Sequence, residues 1–117
     1  MGKMRIAIPT KEDKGIGDVV SDVFGRSKTF TIINISDGLI HEVEVVKNPA
    51  AEYKHGAGPI VIKMLVDMEV TAVASRELGL GASTLLDQNK IKRFKIKADI
   101  PVGEAVKTVL KELEAYT

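Results

Sequence analysis

Residues 28–46, KTFTIINISDGLIHEVEVV, hold two runs of β-branched and apolar residues that are separated by the tripeptide SDG. An Asp-Gly step between two such runs is a strong hairpin signal, because both residues accept the positive φ angles of a tight turn. The stretch therefore predicts two antiparallel strands, over 28–35 and 39–46. Upstream, the segment MRIAIP (4–9) is short, apolar and closed by a proline, which predicts a buried strand. Residues 10–27 are rich in Gly, Asp and Lys and are predicted to form a long surface loop.

Downstream of the hairpin, the apolar residues change to a helical spacing. In PIVIKMLVDME (59–69), four apolar residues fall on one face and Lys63 and Asp67 on the other, which predicts a well-buried helix. The remaining segments predict, in order, a strand at 70–74, a short helix at 82–88, a strand at 91–96 and an amphipathic helix at 101–116. The order β-β-β-α-β-α-β-α indicates one α/β domain, residues 1–117, with a mixed sheet whose second half is parallel.

The composition excludes several classes of function. The 117 residues include 17 basic and 16 acidic ones, so no overall field recruits nucleic acid or a membrane, and neither is expected as a partner. There is no apolar run of bilayer-spanning length and no secretion signal, so a cytoplasmic location is expected. The chain has no cysteine. This excludes thiol catalysis, cysteine zinc sites and cysteine-ligated iron–sulfur clusters.

One of the two histidines lies in a glycine-rich corner. In EYKHGAGPI (52–60), His55 directly precedes the HGAG glycines and a predicted helix start. An imidazole can ligate a metal, and bare backbone amides at a helix start can bind an anion, so we interpret this corner as a site. The alternative is an ordinary exposed loop histidine. His41 lies between charged residues of a predicted strand and is expected to be a solvated edge residue without a role.

A second glycine pair, Gly79 and Gly81, precedes the helix at 82–88. Both pairs follow crossover points of the predicted sheet, where open α/β sheets bind ligands, although glycines also serve turns and caps. In the first loop, Arg26 is either an anion clamp or a surface salt-bridge residue, and Arg76 ranks below it because it can pair with Glu77.

The run KIKRFKIK (90–97) is basic, with aliphatic and aromatic residues between the charges. Such a run can contact RNA. Lysines on an edge strand more often prevent the strand from pairing with other sheets, and we favour that interpretation.

Six short motifs carry a resemblance to a known family: RIAIPT (5–10), VSDVFGR (20–26), the SDG turn, NP (48–49), HGAGP (55–59) and LGLGA (78–82). Their order and spacing resemble the dinitrogenase iron–molybdenum cofactor biosynthesis family, in particular NifX-like proteins and the C-terminal domain of NifB. The resemblance covers nearly the whole chain. It implies a ribonuclease H-like motif, with a five-stranded mixed sheet of order 3-2-1-4-5 and helices packed on it.

The resemblance also implies a function. It indicates a small, non-catalytic protein that holds or carries an iron–sulfur or iron–molybdenum type cluster and exchanges it with cofactor-donor or acceptor proteins. Carried onto this sequence, the cofactor-binding residues are Phe24, Gly25, Arg26, His55, Gly56, Ala57, Gly58, Gly79, Gly81, Ala82 and Ser83. His55 is the implied metal ligand.

This chain departs from the family pattern at Val23, where many members have a histidine before FGR. One imidazole and no thiolate cannot complete the three or four protein ligands that hold a metal tightly. The open positions are filled either by His55 of a second copy across a two-fold axis or by an anionic cofactor that brings its own sulfides. We therefore expect a monomer or homodimer whose cluster is weakly bound or absent as purified.

Two other classes of function compete with the carrier. A nuclease is suggested by the ribonuclease H-like topology, but two-metal chemistry needs carboxylates fixed on adjacent strands. The segments RIAI and VTAVA supply none, and the early acids Asp13, Asp18 and Asp22 lie in the surface loop, so we disfavour it. A regulatory or protein-interaction module of the same fold, with no bound cluster, is the alternative.

Overall fold

The computed structural model describes residues 2–76 and 78–114. Within them the chain forms five strands and three helices. These are β1 (Lys3–Thr10), β2 (Thr29–Ser36), β3 (Leu39–Lys47), α1 (Ala57–Asp67), β4 (Ala72–Ser75), α2 (Leu80–Gln88), β5 (Lys92–Lys95) and α3 (Val102–Glu114). Each predicted element is present, and its bounds differ by a few residues. The predicted end of the last helix, residues 115–116, lies outside the described residues.

The five strands form one mixed sheet of order β3-β2-β1-β4-β5, as predicted. Strand β2 is antiparallel to β1 and β3, whereas β4 is parallel to β1 and β5. The strands β1, β3, β4 and β5 therefore all run in one direction. Their carboxyl ends lie together at what we call the carboxyl edge, and their beginnings lie at the amino edge.

The two faces of the sheet have separate cores because successive side chains of a strand point to opposite faces. On one face, called the α1/α2 face, Ala7, Phe30, Ile32 and Val73 pack with Val61, Leu65 and Leu86 of the two helices. On the other, called the α3 face, Ile6, Ile8, Ile33 and Ala74 pack with Val102, Val106 and Val109. Helices α1 and α2 thus lie side by side, and both begin at the carboxyl edge.

The loop from 11 to 28 is more ordered than the sequence predicts. Asp18 was predicted to lie in a surface loop, but its carboxylate is buried and accepts backbone N–H groups of Glu12, Lys14 and Val19 at 3.0, 3.3 and 2.7 Å. A 3-10 turn at Gly15–Gly17 and two isolated bridges, to Thr10 and Pro101, fix the loop against the sheet. Asp18 can be buried because several backbone amides surround its carboxylate and satisfy its hydrogen-bonding capacity.

None of the helices in the described ranges has the length and apolar character needed to cross a bilayer.

Candidate functional site

The loop after β1 and the two glycine-rich segments predicted to form a site all lie at the carboxyl edge. The loop after β1 leads to β2 on one side, while β4 lies on the other side of β1. Open α/β sheets bind ligands outside the carboxyl ends of their strands at such a point, because the diverging loops leave a crevice. Helices α1 and α2 both point their N-termini to this edge.

Phe24 anchors the first loop in the core. Its side chain is only 7% exposed, and its ring packs edge-to-face on Phe30, with centroids 5.4 Å apart at 76°. The predicted site residue Phe24 therefore positions the loop, and its side chain is largely unavailable to a ligand. Arg26, two residues on, is exposed and forms no ion pair with any carboxylate in the described part of the chain.

The glycine of the FGR motif contacts the start of α1 directly. A Cβ atom at Gly25 would lie 3.4 Å from the Cβ of Ala57 and 3.4 Å from the backbone nitrogen of Gly58. The backbone of Gly25 thus packs on the first turn of α1 and leaves no room for a side chain much larger than a methyl group. The first loop and the HGAG corner are therefore adjacent.

Asn48 fixes the first loop to the segment that follows β3. Its amide Nδ2 donates to the carbonyl oxygens of Gly25 and Ser27 at 3.0 and 2.8 Å, and its Oδ1 accepts the N–H of Ala50 at 2.9 Å. In the sequence, Asn48 stands out only as part of the NP motif, and this positioning role was not predicted. A buried asparagine directly after a strand is the signal that indicates such a clamp.

Helix α1 begins in the HGAG corner and has no side-chain cap. Gly56 is the N-cap residue and has φ 75°, a left-handed conformation that favours glycine. Within the described ranges the helix has no side-chain cap hydrogen bond, and its first turn contains no acidic residue. His55 precedes this cap and is exposed. The helix start therefore presents amide groups beside one imidazole.

The second glycine segment begins α2 in the same way. Gly79 is the N-cap in an extended conformation, again without a side-chain cap or an acid in the first turn. Ala82 packs on the core, and Gly81 is exposed. Ser83 lines a cleft of about 190 Å³ with Ser75, Arg76, Leu78, Arg93, Phe94 and Lys95. This cleft is rich in cationic side chains.

The structure brings the predicted site segments together to different degrees. Residues 24–26 and 57–58 are in contact. Residues 79–83 reach the same edge through α2, which packs beside α1, but the cleft that Ser83 lines includes no residue of the other two segments. The arrangement is a pair of neighbouring, uncapped helix starts along one edge.

The described residues do not provide an ordinary site for a bare metal ion. Within 2–76 and 78–114, no three His, Asp or Glu side chains lie together in a way that could hold one. His41, on β3, is far along the strand toward the amino edge. The donor set at the carboxyl edge, amides with His55, Arg26 and Arg76, fits an anion that supplies its own ligands better than a free cation.

A larger depression, of about 530 Å³, lies at the amino edge and includes Arg5, Asn34, His41 and Glu69. Arg5 donates to the Met68 carbonyl oxygen and to Asn34 Oδ1, both at 2.8 Å, and to Glu44 at 3.3 Å. Its guanidinium thus connects the sheet to the end of α1. The Arg5 guanidinium is already bound by protein groups and is not free to bind a ligand. The larger volume of this depression therefore does not make it a better candidate binding site than the carboxyl edge.

The fold and its carboxyl edge define a small α/β domain with two exposed helix starts suited to anions. Residues 3–112 match the dinitrogenase iron-molybdenum cofactor family, and the chain belongs to that family. The predicted family and the predicted sheet order are both confirmed.

Individual relatives are similar over nearly their whole length. An uncharacterized protein of Methanocaldococcus jannaschii is 28% identical over 97% of this chain and 92% of its own. A Thermotoga protein whose NMR structure is described under the NifB name is 31% identical, with 92% and 88% coverage and a TM-score of 0.75. The apo form of the orange protein from Desulfovibrio gigas has the same fold, with 24% identity, 96% and 92% coverage and a TM-score of 0.82.

Proposed function

We propose that this protein is a non-catalytic carrier of an anionic metal–sulfur cluster of the iron–sulfur or iron–molybdenum type, which it binds at the carboxyl edge. One observation carries the proposal: α1 and α2 begin side by side at this edge, and neither has a side-chain cap or an acidic residue in its first turn. The family to which the chain belongs is named for the cofactor of dinitrogenase.

Electrostatics favour an anion at this position. The first amides of a helix and its macrodipole are equivalent to roughly half a positive charge at the N-terminus. Two such ends, with exposed Arg26 and Arg76 nearby, attract a multiply charged anion. Acidic residues, which often neutralise a first turn, are absent from the first turns of both α1 and α2. The glycines allow a ligand to approach the backbone closely.

The cluster is cargo in this proposal. His55 supplies at most one ligand per chain, so the remaining metal positions are occupied by the sulfides of the cluster itself or by His55 of a second copy. Binding through amides and guanidinium groups is reversible, as release to an acceptor protein requires. Cofactor-donor and acceptor proteins are therefore the proposed partners.

The central strands argue against the nuclease. Strands β1 and β4 contain no Asp or Glu, and their buried residues include Ile6, Ile8 and Val73. Asp18, the buried acid of the first loop, is bound to three backbone amides. Its carboxylate is a structural acceptor.

The second candidate, an interaction module without cargo, rests on apolar exposure at the same edge. Leu80, in the first turn of α2, is 85% exposed, and Val23, beside FGR, is 43% exposed. Exposed apolar side chains that flank polar groups often mark a docking surface. In the carrier these residues would contact the donor or acceptor.

Anaerobic reconstitution distinguishes the two candidates. The protein is incubated with iron, sulfide and molybdate and desalted, and its metal and sulfide content is measured together with that of Arg26→Glu/Arg76→Glu. We expect retained metal and sulfide in the wild type and at least about tenfold less in the variant, since two attractive charges become repulsive. The matched control, Lys63→Glu/Lys111→Glu, makes the same change of charge at two exposed lysines, one on α1 and one in the last turn of α3, and should retain the cluster. Equal retention by both variants, or none by the wild type, would contradict the carrier.

A further inference from the structure

The two outermost strands of the sheet, β3 and β5, differ in length and in charge. Strand β3, at one edge, is nine residues long and exposes Leu39, Ile40 and Val43. Strand β5, at the other edge, has only the four residues KRFK. Within the described residues no strand pairs with the outer side of either one. Proteins commonly protect an edge by making it short and basic, as β5 is, whereas β3 is long and partly apolar.

The side chains of these edge strands form matching patterns on the same faces. Glu42 and Glu44 pair with Asn34 and Ile32 and therefore lie on the α1/α2 face, while Val43 between them lies on the α3 face. On β5, residues 93 and 95 pair with Val73 and Ser75 and lie on the α1/α2 face, while Phe94 lies on the α3 face.

We propose that a second copy of the chain adds the outer side of its β5 to the outer side of β3, in parallel. When β3 of one copy lies beside β5 of the other with the same faces aligned, residues Glu-Val-Glu (42–44) lie opposite residues Arg-Phe-Lys (93–95). Both acids then face cations on the α1/α2 face, and Val43 faces Phe94 on the α3 face. Such cross-strand pairs of opposite charge and of apolar side chains stabilise a sheet.

The charged residues of these strands are already engaged, but in exposed pairs that can be shared. Glu44 contacts Arg5 at 3.3 Å, and Arg93 uses Nε and Nη2 for Asp87 at 3.0 and 3.2 Å. Exposed ion pairs contribute little, so adding a second partner across the new interface costs little.

Self-pairing of two β3 strands is the competing arrangement, and charge disfavours it. An antiparallel pair centred on Val43 places Glu42 of each copy opposite Glu44 of the other, on the same face. Directly opposed like charges destabilise a sheet. Two β5 strands would oppose cations in the same way. Only the pairing of β3 with β5 matches opposite charges.

This contact joins different surfaces of the two copies and leaves a free β3 and a free β5 at the ends. Association is therefore open-ended rather than restricted to a dimer. The interface is short, well below the size of stable interfaces, so it belongs to the weak class. Because charges dominate it, salt should weaken it.

Sedimentation equilibrium tests the proposal on the intact chain, from micromolar to about 1 mM. We expect the average mass to rise with concentration in about 10 mM salt, where the Debye length is about 30 Å, and to fall toward the monomer in about 150 mM salt, where it is about 8 Å. A wild type that stays monomeric at all concentrations in low salt would overturn the proposal.

Charge exchange locates the contact. Glu42→Lys/Glu44→Lys and Arg93→Glu/Lys95→Glu should each stay monomeric, whereas an equimolar mixture of the two should associate, because each altered edge then has a complementary partner. The control Glu52→Lys/Glu104→Lys has the same change in charge as the first variant, away from both strands, and should associate like the wild type. Association that survives either edge variant, or a mixture that stays monomeric, would also refute the pairing.

Far-UV circular dichroism verifies that each variant is folded. Amide chemical shifts of the wild type provide a test without substitutions. On dilution, they should change at residues 39–47 and 92–95.

Discussion

Gly25 lies against Gly58, so close that a Cβ atom at Gly25 would stand 3.4 Å from the Gly58 backbone nitrogen. This contact joins the loop after β1 to the first turn of α1. Because Arg26 follows Gly25, the contact brings Arg26 close to the uncapped first turn of α1, and it leaves little room for a side chain at residue 25.

Replacing Gly25 with valine tests this contact. The added methyl groups must push the loop away from α1, and overpacking of this kind costs about 1–3 kcal/mol. We expect the free energy of unfolding, measured by urea titration, to fall by that amount, and cluster retention after reconstitution to fall as well. Unchanged stability and unchanged retention in Gly25→Val would show that the loop is not held against the helix.

Asn48→Ala should lower the stability more than Gly25→Val does, although Asn48 is not a proposed ligand residue. It removes the two amide donations and the one acceptance that connect the loops, and it leaves buried carbonyl groups unpaired. We expect a loss of about 2–3 kcal/mol in the free energy of unfolding. Asn48→Asp keeps the acceptor for Ala50 but places a carboxylate against the carbonyl oxygens of Gly25 and Ser27, so it should not recover the loss. A cost below about 0.5 kcal/mol for the alanine variant would be incompatible with a clamp.

Gly81→Ala separates binding from folding. Gly81 lies inside α2, and a Cβ there meets no atom within 4 Å. Alanine is favoured over glycine by about 0.8–1.0 kcal/mol in a helix interior and by less in the first turn, so we expect a modestly higher melting temperature. If Gly81 also allows a cluster to approach α2, the same variant should retain less metal and sulfide. A more stable variant with full retention would remove Gly81 from the site.

The ion pair of Lys11 and Asp99 connects the first loop to the segment before α3. The hydrogen bond that Lys11 donates to Asp99 raises the pKa of Lys11 above its ordinary value of 10.5. A raised lysine pKa means that the stabilisation is complete below pH 10.5 and is lost as the pH rises through the higher, folded-state pKa. We expect the stability difference between the wild type and Lys11→Met to vanish above that pH. A difference that persists in strong alkali would have another origin.

The sheet was predictable because its signals are local. Asp37 and Gly38 have φ values of 53° and 80°, the positive angles that the hairpin requires, and the change to helical spacing after 59 marks α1. The predicted start of α1 at Pro59 was late, since the helix begins at Ala57, where Gly56 in the left-handed conformation directs the chain into it.

The contacts that organise the candidate site are less predictable. Asp18 and Asn48 act through backbone groups of other loop residues, and no periodic pattern identifies a side chain whose partners are carbonyl and amide groups. The glycines of the site were recognised as a group, but the specific approach of Gly25 to Gly58 depends on the packing of Phe24 on Phe30, which only the structure shows.

The carrier account is tested most directly by comparing an anion that brings its own sulfides with a bare cation. Isothermal titration of the metal-free protein with tetrathiomolybdate and, separately, with zinc gives both dissociation constants. The account predicts micromolar or tighter binding of the thiomolybdate, weakened at least about tenfold in Arg26→Glu/Arg76→Glu, and zinc binding no tighter than about micromolar. Nanomolar zinc binding together with no detectable heat from thiomolybdate would contradict it.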